Sequence, residues 1–380
     1  MTRGRFAPSP TGRMHLGNVF CALLSWLSAK SKGGEWVLRI EDLDPQRSKK
    51  DYALQLMDDL QWLDLPWDGE PVWQSQRGEI YEEYLQRLTD MGLTYPCYCT
   101  RADIMATQAP HETDGRVVYK GTCRPNPPSP ITPHRSPLTV NRSPLTATTR
   151  LIVPDCTIPF TDGHYGKHDI NLAEHCGDYI IRRKDGAWAY QLAVVVDDAL
   201  MEVTEIVRGR DLLLSSPQQI HLRELLFQST DDRVQSTENR VQMTDGLLKR
   251  KTITDASVPT TTSFTPQTVP LRQGDERSGG GGLTAHRSSL NVQHSTLNFL
   301  HHPLLCNAEG QRLCKRDKSM DLGYLRDKGT TPQEIIGLLA HLAGLTNTPA
   351  PITPQELIPL FSWDKVPTED IILNNLQEAL

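Results

Sequence analysis

The pattern of apolar and polar positions predicts strands alternating with helices in the first quarter of the chain. A short strand near the amino terminus runs through a Pro/Gly turn into a helix, and a second buried strand is predicted over residues 35–42. Two helices follow, the second over about 79–91. The first helix has its apolar residues at helical spacing: Leu16, Val19, Phe20, Leu23, Leu24 and Leu27. This alternation favours an α/β fold with a doubly wound parallel sheet.

The same kind of pattern returns beyond residue 150. Residues 178–198 predict two strands around the turn at Asp185 and Gly186, followed by a helix that begins at Tyr190. Helices are also predicted over 220–227 and over 332–343. The carboxyl-terminal part is therefore predicted to be helical.

Two polar stretches interrupt the pattern. Residues 125–149 are rich in Pro, Ser and Thr and predict a loop. Residues 229–296 contain few apolar side chains, so burial cannot offset the entropy of ordering them, and disorder is predicted there.

Composition and charge narrow the class of protein. The 380 residues carry a formal net charge of -6, which does not suit a protein that binds nucleic acid without discrimination. An RNA partner would have to meet a local patch. No apolar run approaches membrane-spanning length, and the first residues lack the apolar core of a signal peptide, so a cytoplasmic location is expected.

The cysteines indicate a metal site rather than disulfides. The chain has eight cysteines, and a disulfide framework is not expected in a reducing compartment. Cys97, Cys99 and Cys123 lie close enough in sequence to act as three soft ligands of a tetrahedral zinc ion, which needs a fourth ligand. His111 is available, but its spacing does not single it out.

The amino-terminal turn is typical of a nucleotide site. Pro8 presets the backbone before the turn, and the start of the following helix is expected to offer unpaired N–H groups beside His15, Gly17 and Asn18. A polyphosphate can bind at such a helix start. His15 would add a donor, and Gly17 would leave room for adenine or ribose.

These residues resemble a known family. The stretch from Arg5 to Asn18 is similar to the HIGH signature of class I aminoacyl-tRNA synthetases in its glutamyl form. The family's KMSKS signature, usually Arg-Leu-Ser-Lys-Arg in this form, is matched by Arg312-Leu-Cys-Lys-Arg316, with Cys314 in place of serine. The resemblance covers residues 2–124, 151–227 and 302 onwards, and leaves the polar stretches outside.

The resemblance implies that the protein is a ligase that activates L-glutamate with Mg-ATP and transfers it to tRNA. His15 and Lys315 would be catalytic. The expected glutamate-binding residues are Arg5, Ala7, Ser9, Glu41, Tyr190 and Arg208. The expected ATP-binding residues are Pro8, Thr11, His15, Gly17, Asn18, Arg312, Leu313 and Lys315.

The amino acid itself explains part of that set. Glutamate carries two carboxylates and one ammonium group, so its pocket should offer two cations and one anion, which Arg5, Arg208 and Glu41 provide. The sequence leaves open which arginine binds which carboxylate. In the family the fourth ligand of the structural zinc is a tyrosine, which matches Tyr119.

Two features favour the short branch of the family that attaches glutamate to the queuosine base of tRNA(Asp). Val194 stands where glutamyl-tRNA synthetases usually have asparagine, and the chain ends at Leu380 without a region matching the large anticodon-binding domain. The resemblance then implies a monomer that contacts the anticodon arm of tRNA(Asp). Two alternatives remain: a truncated glutamyl-tRNA synthetase that charges a tRNA 3′ end, and an inactive zinc-stapled RNA-binding protein.

The expected domain organisation follows from this resemblance. Residues 1–96 and 179–228 would form the two halves of the nucleotide-binding catalytic domain. Residues 97–178 would form an inserted, zinc-stapled, acceptor-binding subdomain that includes the loop at 125–149. Residues 229–296 would be a disordered insertion, and 297–380 would hold the KMSKS-type loop and a helical region that contacts the tRNA stem.

Overall fold

The computed structural model describes residues 1–106, 118–125, 147–227, 297–313 and 321–373. Most of the predicted loop at 125–149, the predicted insertion at 229–296, His111, Cys314 and Lys315 lie outside the described residues.

The described residues form strands and helices in the predicted alternation. The strands are β1 (Arg3–Phe6), β2 (Glu35–Ile40), β3 (Val72–Trp73), β4 (Thr94–Cys97), β5 (Thr148–Leu151), β6 (Thr157–Asp162), β7 (Gly166–Asn171), β8 (Ile180–Arg182), β9 (Glu205–Gly209), β10 (Asn298–His302), β11 (Leu305–Cys306) and β12 (Ile371–Ile372). The α-helices are α1 (Leu16–Lys30), α2 (Lys50–Trp62), α3 (Gly78–Asp90), α4 (Arg101–Ala106), α5 (Leu172–His175), α6 (Tyr190–Leu200), α7 (Ser216–Phe227), α8 (Leu322–Asp327), α9 (Pro332–Leu342) and α10 (Pro354–Leu357).

The main sheet has seven strands in the order β3-β2-β1-β9-β10-β6-β7. All neighbouring strands are parallel except β6 and β7, which form an antiparallel hairpin at one edge. The strand order departs from the chain order, so crossover connections place helices against the sheet, as the predicted α/β fold requires. The mostly parallel sheet confirms the predicted fold class.

The first helix shows why the amino-terminal sequence folds as it does. Its apolar stripe is buried, and α1 packs on β1, β2 and β9. A core cluster built around this helix includes Phe6, Trp36 and Leu38 of the adjacent strands. A second cluster joins α3, α6 and α7. Burial of these apolar faces fixes the positions of the strand ends that surround the site.

A smaller sheet, in the order β4-β5-β8, stands beside the main one. β5 begins at Thr148, within the stretch predicted as a loop over 125–149, because Thr148 and Thr149 pair with β4. The hairpin predicted around Asp185 and Gly186 is only partly formed. After β8 the returning chain makes a single bridge, Arg182 with Trp188, because α6 starts two residues later.

The predicted helix over 332–343 is confirmed as α9. Thr331 and Glu334 form a reciprocal capping box at its start, with Pro332 in the first turn. No helix in the described ranges combines the length and the apolar character needed to cross a bilayer.

Candidate active site

A cavity of about 610 Å³ opens at the carboxyl ends of β1, β2 and β9. Every residue predicted to bind glutamate or ATP lines it, except Lys315, which lies outside the described residues. The predicted residues in its wall are Arg5, Ala7, Pro8, Ser9, Thr11, His15, Gly17, Asn18, Glu41, Tyr190, Arg208, Arg312 and Leu313. The structure therefore brings the two predicted sets together, while their individual roles stay predictions.

The parallel sheet explains this convergence. Carboxyl ends of parallel strands meet at one edge, where ligands of open α/β sheets bind. The Glu41 backbone N–H, just after β2, donates to the Pro8 carbonyl at 3.0 Å and ties the second strand to the amino-terminal turn. Arg208 lies in β9, and β1 lies between β2 and β9 in the sheet.

The start of α1 differs from the expectation in one respect. Gly17 and Asn18 were expected to offer unpaired N–H groups, and this is wrong: the Gly17 N–H donates to His15 Nδ1 at 3.1 Å, and the Asn18 N–H donates to the His15 carbonyl at 2.8 Å. The His15 N–H in turn donates to Asn18 Oδ1 at 3.1 Å. The helix is capped by its own side chains because His15 supplies an acceptor to the first turn.

Gly17 packs tightly against the His15 ring. A Cβ atom at this position would lie 3.0 Å from the Cε1 and Nδ1 atoms of His15 and 3.9 Å from Leu313 Cβ. A side chain at residue 17 would therefore require the His15 ring to shift by a few tenths of an ångström.

Residues 314–320, which include Lys315 and are called the lysine segment below, lie outside the described residues, but the chain on both sides of them contacts the amino-terminal turn. Leu313, the last described residue before that segment, lines the cavity. On the far side, Asp321 forms a bridge with His15, and the Leu322 N–H donates to the Met14 carbonyl at 2.9 Å.

A buried charge network that the sequence did not reveal lies behind the cavity. Arg39 is fully buried; its Nη1 contacts Asp198 Oδ1 at 2.6 Å and its Nη2 contacts Glu41 Oε1 at 3.1 Å. Asp198 also faces Arg5, with 3.4 Å between Oδ1 and Nε. An arginine inside an apolar strand and an aspartate inside an apolar helix were the available signals, because such charges are rarely buried unless paired.

Burial and these partners set the protonation of the acids. Burial raises the pKa of Glu41 even though Arg39 and Arg5 oppose the change. Burial alone would raise the pKa of Asp198 too, but Arg39 and Arg5 outweigh it and lower that pKa. Asp198 is therefore the fixed negative charge of the network, and Glu41 is the carboxylate that a ligand cation would stabilise.

Arg208 differs from the other arginines of the cavity. Its Nε donates to His301 Nε2 at 3.0 Å, its Nη1 to Gln219 Oε1 at 2.7 Å, and its Nη2 to Ser216 Oγ at 2.9 Å. Within the described part of the chain it forms no ion pair.

The three predicted cysteine ligands come together away from the cavity. The Sγ atoms of Cys97, Cys99 and Cys123 lie within 4.8 Å of one another. The Tyr119 hydroxyl lies 3.4 Å from Cys97 Sγ and 3.8 Å from Cys99 Sγ. The hydrogen bond between Cys97 and Cys123 lowers the pKa of the Cys123 thiol to about 6 and raises that of Cys97, so Cys123 is the member of the pair that favours the thiolate. The cluster can hold a metal ion.

Comparison with known proteins decides the family. A model described as class I tRNA synthetases (E and Q), catalytic domain, matches residues 1–260. The chain belongs to this family. Its members are aminoacyl-tRNA synthetases, so the family expected from the two signatures, and with it a ligase, is confirmed.

Relatives similar along the chain carry one common name. Glutamyl-Q tRNA(Asp) synthetase of Symbiobacterium thermophilum is 36% identical over 381 residues, which covers 98% of this chain and 95% of that protein. The protein of the same name from Neisseria meningitidis serogroup C is 46% identical over 226 residues, covering 60% of this chain and 72% of its own length.

Solved structures agree on the fold. The glutamate-tRNA synthetase of Elizabethkingia anophelis superposes with a TM-score of 0.67 at 22% identity, covering 100% of this chain and 69% of the other. The glutamate tRNA ligase of Elizabethkingia meningosepticum, solved in complex with its amino acid, gives 0.66 at 22% identity, with 100% and 68% covered. At this identity the likeness shows a shared fold.

Proposed function

We propose that this protein activates L-glutamate with ATP and transfers the glutamyl group to the queuosine base of tRNA(Asp). The observation that carries the proposal is the joint placement of two buried arginines, Arg5 and Arg208, and one acid, Glu41, in the wall of a single cavity. That charge pattern complements glutamate. The name of the relatives supplies the acceptor.

In the first step, a glutamate carboxylate oxygen attacks the α-phosphorus of ATP. The bond between the α-phosphorus and the bridging oxygen breaks, pyrophosphate leaves, and glutamyl-adenylate remains. Arg5, Arg208 and Glu41 hold the amino acid in line with the phosphate, and no protein nucleophile is required. The Mg²⁺ that accompanies ATP neutralises phosphate charge.

His15 and the lysine segment act on the phosphates in this proposal. His15 lies at the start of α1 in the cavity wall, from where its ring can donate to phosphate oxygens. Arg312 and Leu313 line the same cavity. Lys315 follows them by two residues, and its cationic role is proposed from the family signature.

In the second step, a hydroxyl of the queuosine cyclopentenediol attacks the glutamyl carbonyl. A new ester bond forms, the bond from the carbonyl carbon to the phosphate oxygen breaks, and AMP leaves; the hydroxyl proton passes to the departing AMP phosphate. We expect a monomer that contacts the anticodon arm of tRNA(Asp) for this transfer.

The metal is proposed to be one structural zinc ion. Cys97, Cys99, Cys123 and Tyr119 offer three sulfur atoms and one oxygen, which fit a closed tetrahedral site with no position for a reacting water. Zinc there would hold the end of β4 to residues 119–123.

Two assays test the function. Glutamate-dependent exchange of pyrophosphate into ATP, measured without tRNA, should be present and should be lost in Lys315→Ala. Radiolabelled glutamate should then pass to tRNA(Asp) that contains queuosine, and not to tRNA(Asp) lacking it. Transfer to a tRNA(Glu) transcript instead would establish the 3′-end alternative, and absence of exchange would reject the activation step.

A further inference from the structure

The surroundings of Arg208 set it apart from Arg5 and Arg39. Arg5 and Arg39 both contact the carboxylate of Asp198. All three nitrogen atoms of the Arg208 guanidinium instead donate to neutral acceptors, and the residues that supply them are buried. Arg208 is thus held firmly while its positive charge stays uncompensated by direct contact with an acid of the described chain.

The acceptor on Nε depends on a pair of buried residues. His301 Nδ1 lies 2.6 Å from Asp162 Oδ2, while His301 Nε2 faces the Arg208 Nε–H. Because Arg208 can only donate, His301 Nε2 must carry no proton, and the ring proton sits on Nδ1 and is donated to Asp162. Asp162 selects this tautomer.

Asp162 is itself fixed by the backbone. Its Oδ1 accepts from the N–H groups of His164 at 3.0 Å and Tyr165 at 2.8 Å, and the His301 N–H approaches Oδ2 at 3.2 Å. Strand register supplies the rest: His301 stands opposite Arg208 across β10 and β9, and Asp162 ends the next strand, β6. Three adjacent strands therefore build the arrangement.

Burial, helped by the Arg208 cation, keeps the His301 ring neutral. Burial lowers the pKa of His301; the hydrogen bond to Asp162 opposes this change, while the Arg208 cation adds to it and Asp211 opposes it. A protonated His301 would present a donor to the Arg208 donor and would break the contact.

We propose that Asp162 and His301 form a positioning pair that holds Arg208 through a neutral acceptor, so that its full charge meets a carboxylate of the substrate. The inference rests on the proposed function, in which that substrate is glutamate. Anchoring by a carboxylate would fix Arg208 equally well but would neutralise it. Neutral anchoring is therefore expected to matter for glutamate binding, beyond any effect on folding.

The sharpest test is Gln219→Glu. This change keeps the shape and the acceptor 2.7 Å from Arg208 Nη1 but makes the acceptor a carboxylate. We expect the KM for glutamate to rise at least about 30-fold, as when a charge-assisted hydrogen bond is lost, with the KM for ATP changed less than about twofold. Gln218→Glu is the matched control, because it adds the same charge one residue away without contacting Arg208; less than about a threefold change is expected.

His301 is tested by conservative rescue. In His301→Gln the amide oxygen can still accept from Arg208 Nε, so the KM for glutamate should stay within about fivefold of wild type. His301→Leu removes the acceptor and should raise that KM at least about tenfold more than His301→Gln does. Thermal melting of each variant reports separately on folding.

The outcomes separate the two proposals. No glutamate-dependent exchange in the wild-type protein would reject the proposed function. If the wild type shows exchange but Gln219→Glu leaves the KM for glutamate unchanged, neutral anchoring of Arg208 does not matter for binding. That result would overturn the proposal for Asp162 and His301 and leave the proposed function standing. A parallel rise of both KM values with a lowered Tm in His301→Gln and His301→Leu would also overturn it, because that pattern belongs to a purely structural role.

Discussion

Single buried charges decide what the cavity can bind. Arg39 is paired with Glu41 and Asp198, and Arg5 shares Asp198 with it. Among the described residues, no acid contacts Arg208. Glu41 contacts Arg39 but also lines the cavity, where it could face a ligand ammonium group, and burial raises its pKa. The fold holds a buried charge at some cost in stability. Replacing it by a neutral residue is therefore expected to stabilise the fold and to weaken ligand binding.

Glu41→Gln tests that expectation. The pKa of Glu41 is higher in the folded chain than its ordinary value, so its contribution to stability is full at low pH and is lost as pH rises through the raised pKa. At pH 7 the neutral glutamine should therefore raise Tm. It should also raise the KM for glutamate at least about 30-fold, because a buried ion pair worth roughly 2 kcal/mol or more is lost.

The pH profile provides a further check on Glu41. Affinity for glutamate should weaken as pH falls through the raised pKa, because the protonated acid no longer attracts the ammonium group, and Glu41→Gln should remove this dependence. Exposed Glu70→Gln serves as the control. A lowered Tm in Glu41→Gln would show instead that ionised Glu41 stabilises the fold.

At the scale of elements, the cavity and the cysteine cluster lie at the strand ends of two different sheets. The cavity joins the carboxyl ends of parallel strands in the main sheet. The metal cluster joins the end of β4, in the smaller antiparallel sheet, to the segment that contains Tyr119 and Cys123. None of the four ligand candidates lines the cavity, so metal binding should support local structure rather than chemistry.

Metal removal tests this separation. Purified protein should contain about one zinc per chain, and Cys123→Ser should lose it and lower Tm by more than about 5 °C, because several kcal/mol of metal-binding free energy are lost. Pyrophosphate exchange at a temperature below the lowered Tm should stay within about threefold of wild type. Cys156→Ser, outside the cluster, should keep the metal. Loss of exchange without unfolding would contradict a structural role.

At the scale of the whole molecule, residues 370–372 near the carboxyl terminus bind by hydrogen bonds and an ion pair to residues at the rim of the cavity. β12 pairs with β11, and Asp370 receives both nitrogen contacts of Arg210 at 2.5 Å and the Leu304 N–H at 2.9 Å. Burial would raise the pKa of Asp370, but these hydrogen bonds outweigh it and lower the pKa. Leu304 and Leu305 line the cavity, so the contacts of Asp370 and β12 with them support its wall.

Asp370→Asn should weaken the attachment of this segment, because it removes the ion pair with Arg210. The ion pair is partly exposed, so we expect a loss of about 1 kcal/mol in the free energy of unfolding, measured with urea at pH 7. The lowered pKa means that the stabilisation is present above the ordinary pKa of aspartate and is lost as pH falls through the lowered value. Exposed Glu369→Gln is the matched control, and an equal effect of the two changes would contradict a specific pair.

Local sequence patterns were enough to predict the elements, the family and most of the residues that line the cavity. The apolar stripe of α1, with its period of about 3.6 residues, and the buried strand predicted over 35–42 are local patterns, so they could be predicted without knowledge of distant contacts. The two signatures identified the amino-terminal turn and the residues around Arg312 in the same way. The roles of these residues and the domain boundaries stay predictions.

The pairing of the buried charges depends on the folded chain. Arg39 and Asp198 are 159 positions apart, and Asp162 and His301 are 139 apart, so their contacts follow from strand order and register rather than from any local pattern. Helical capping by His15 likewise depended on a side-chain rotamer, which periodicity does not specify. Local sequence sets which elements form, and packing between distant elements sets which side chains become partners.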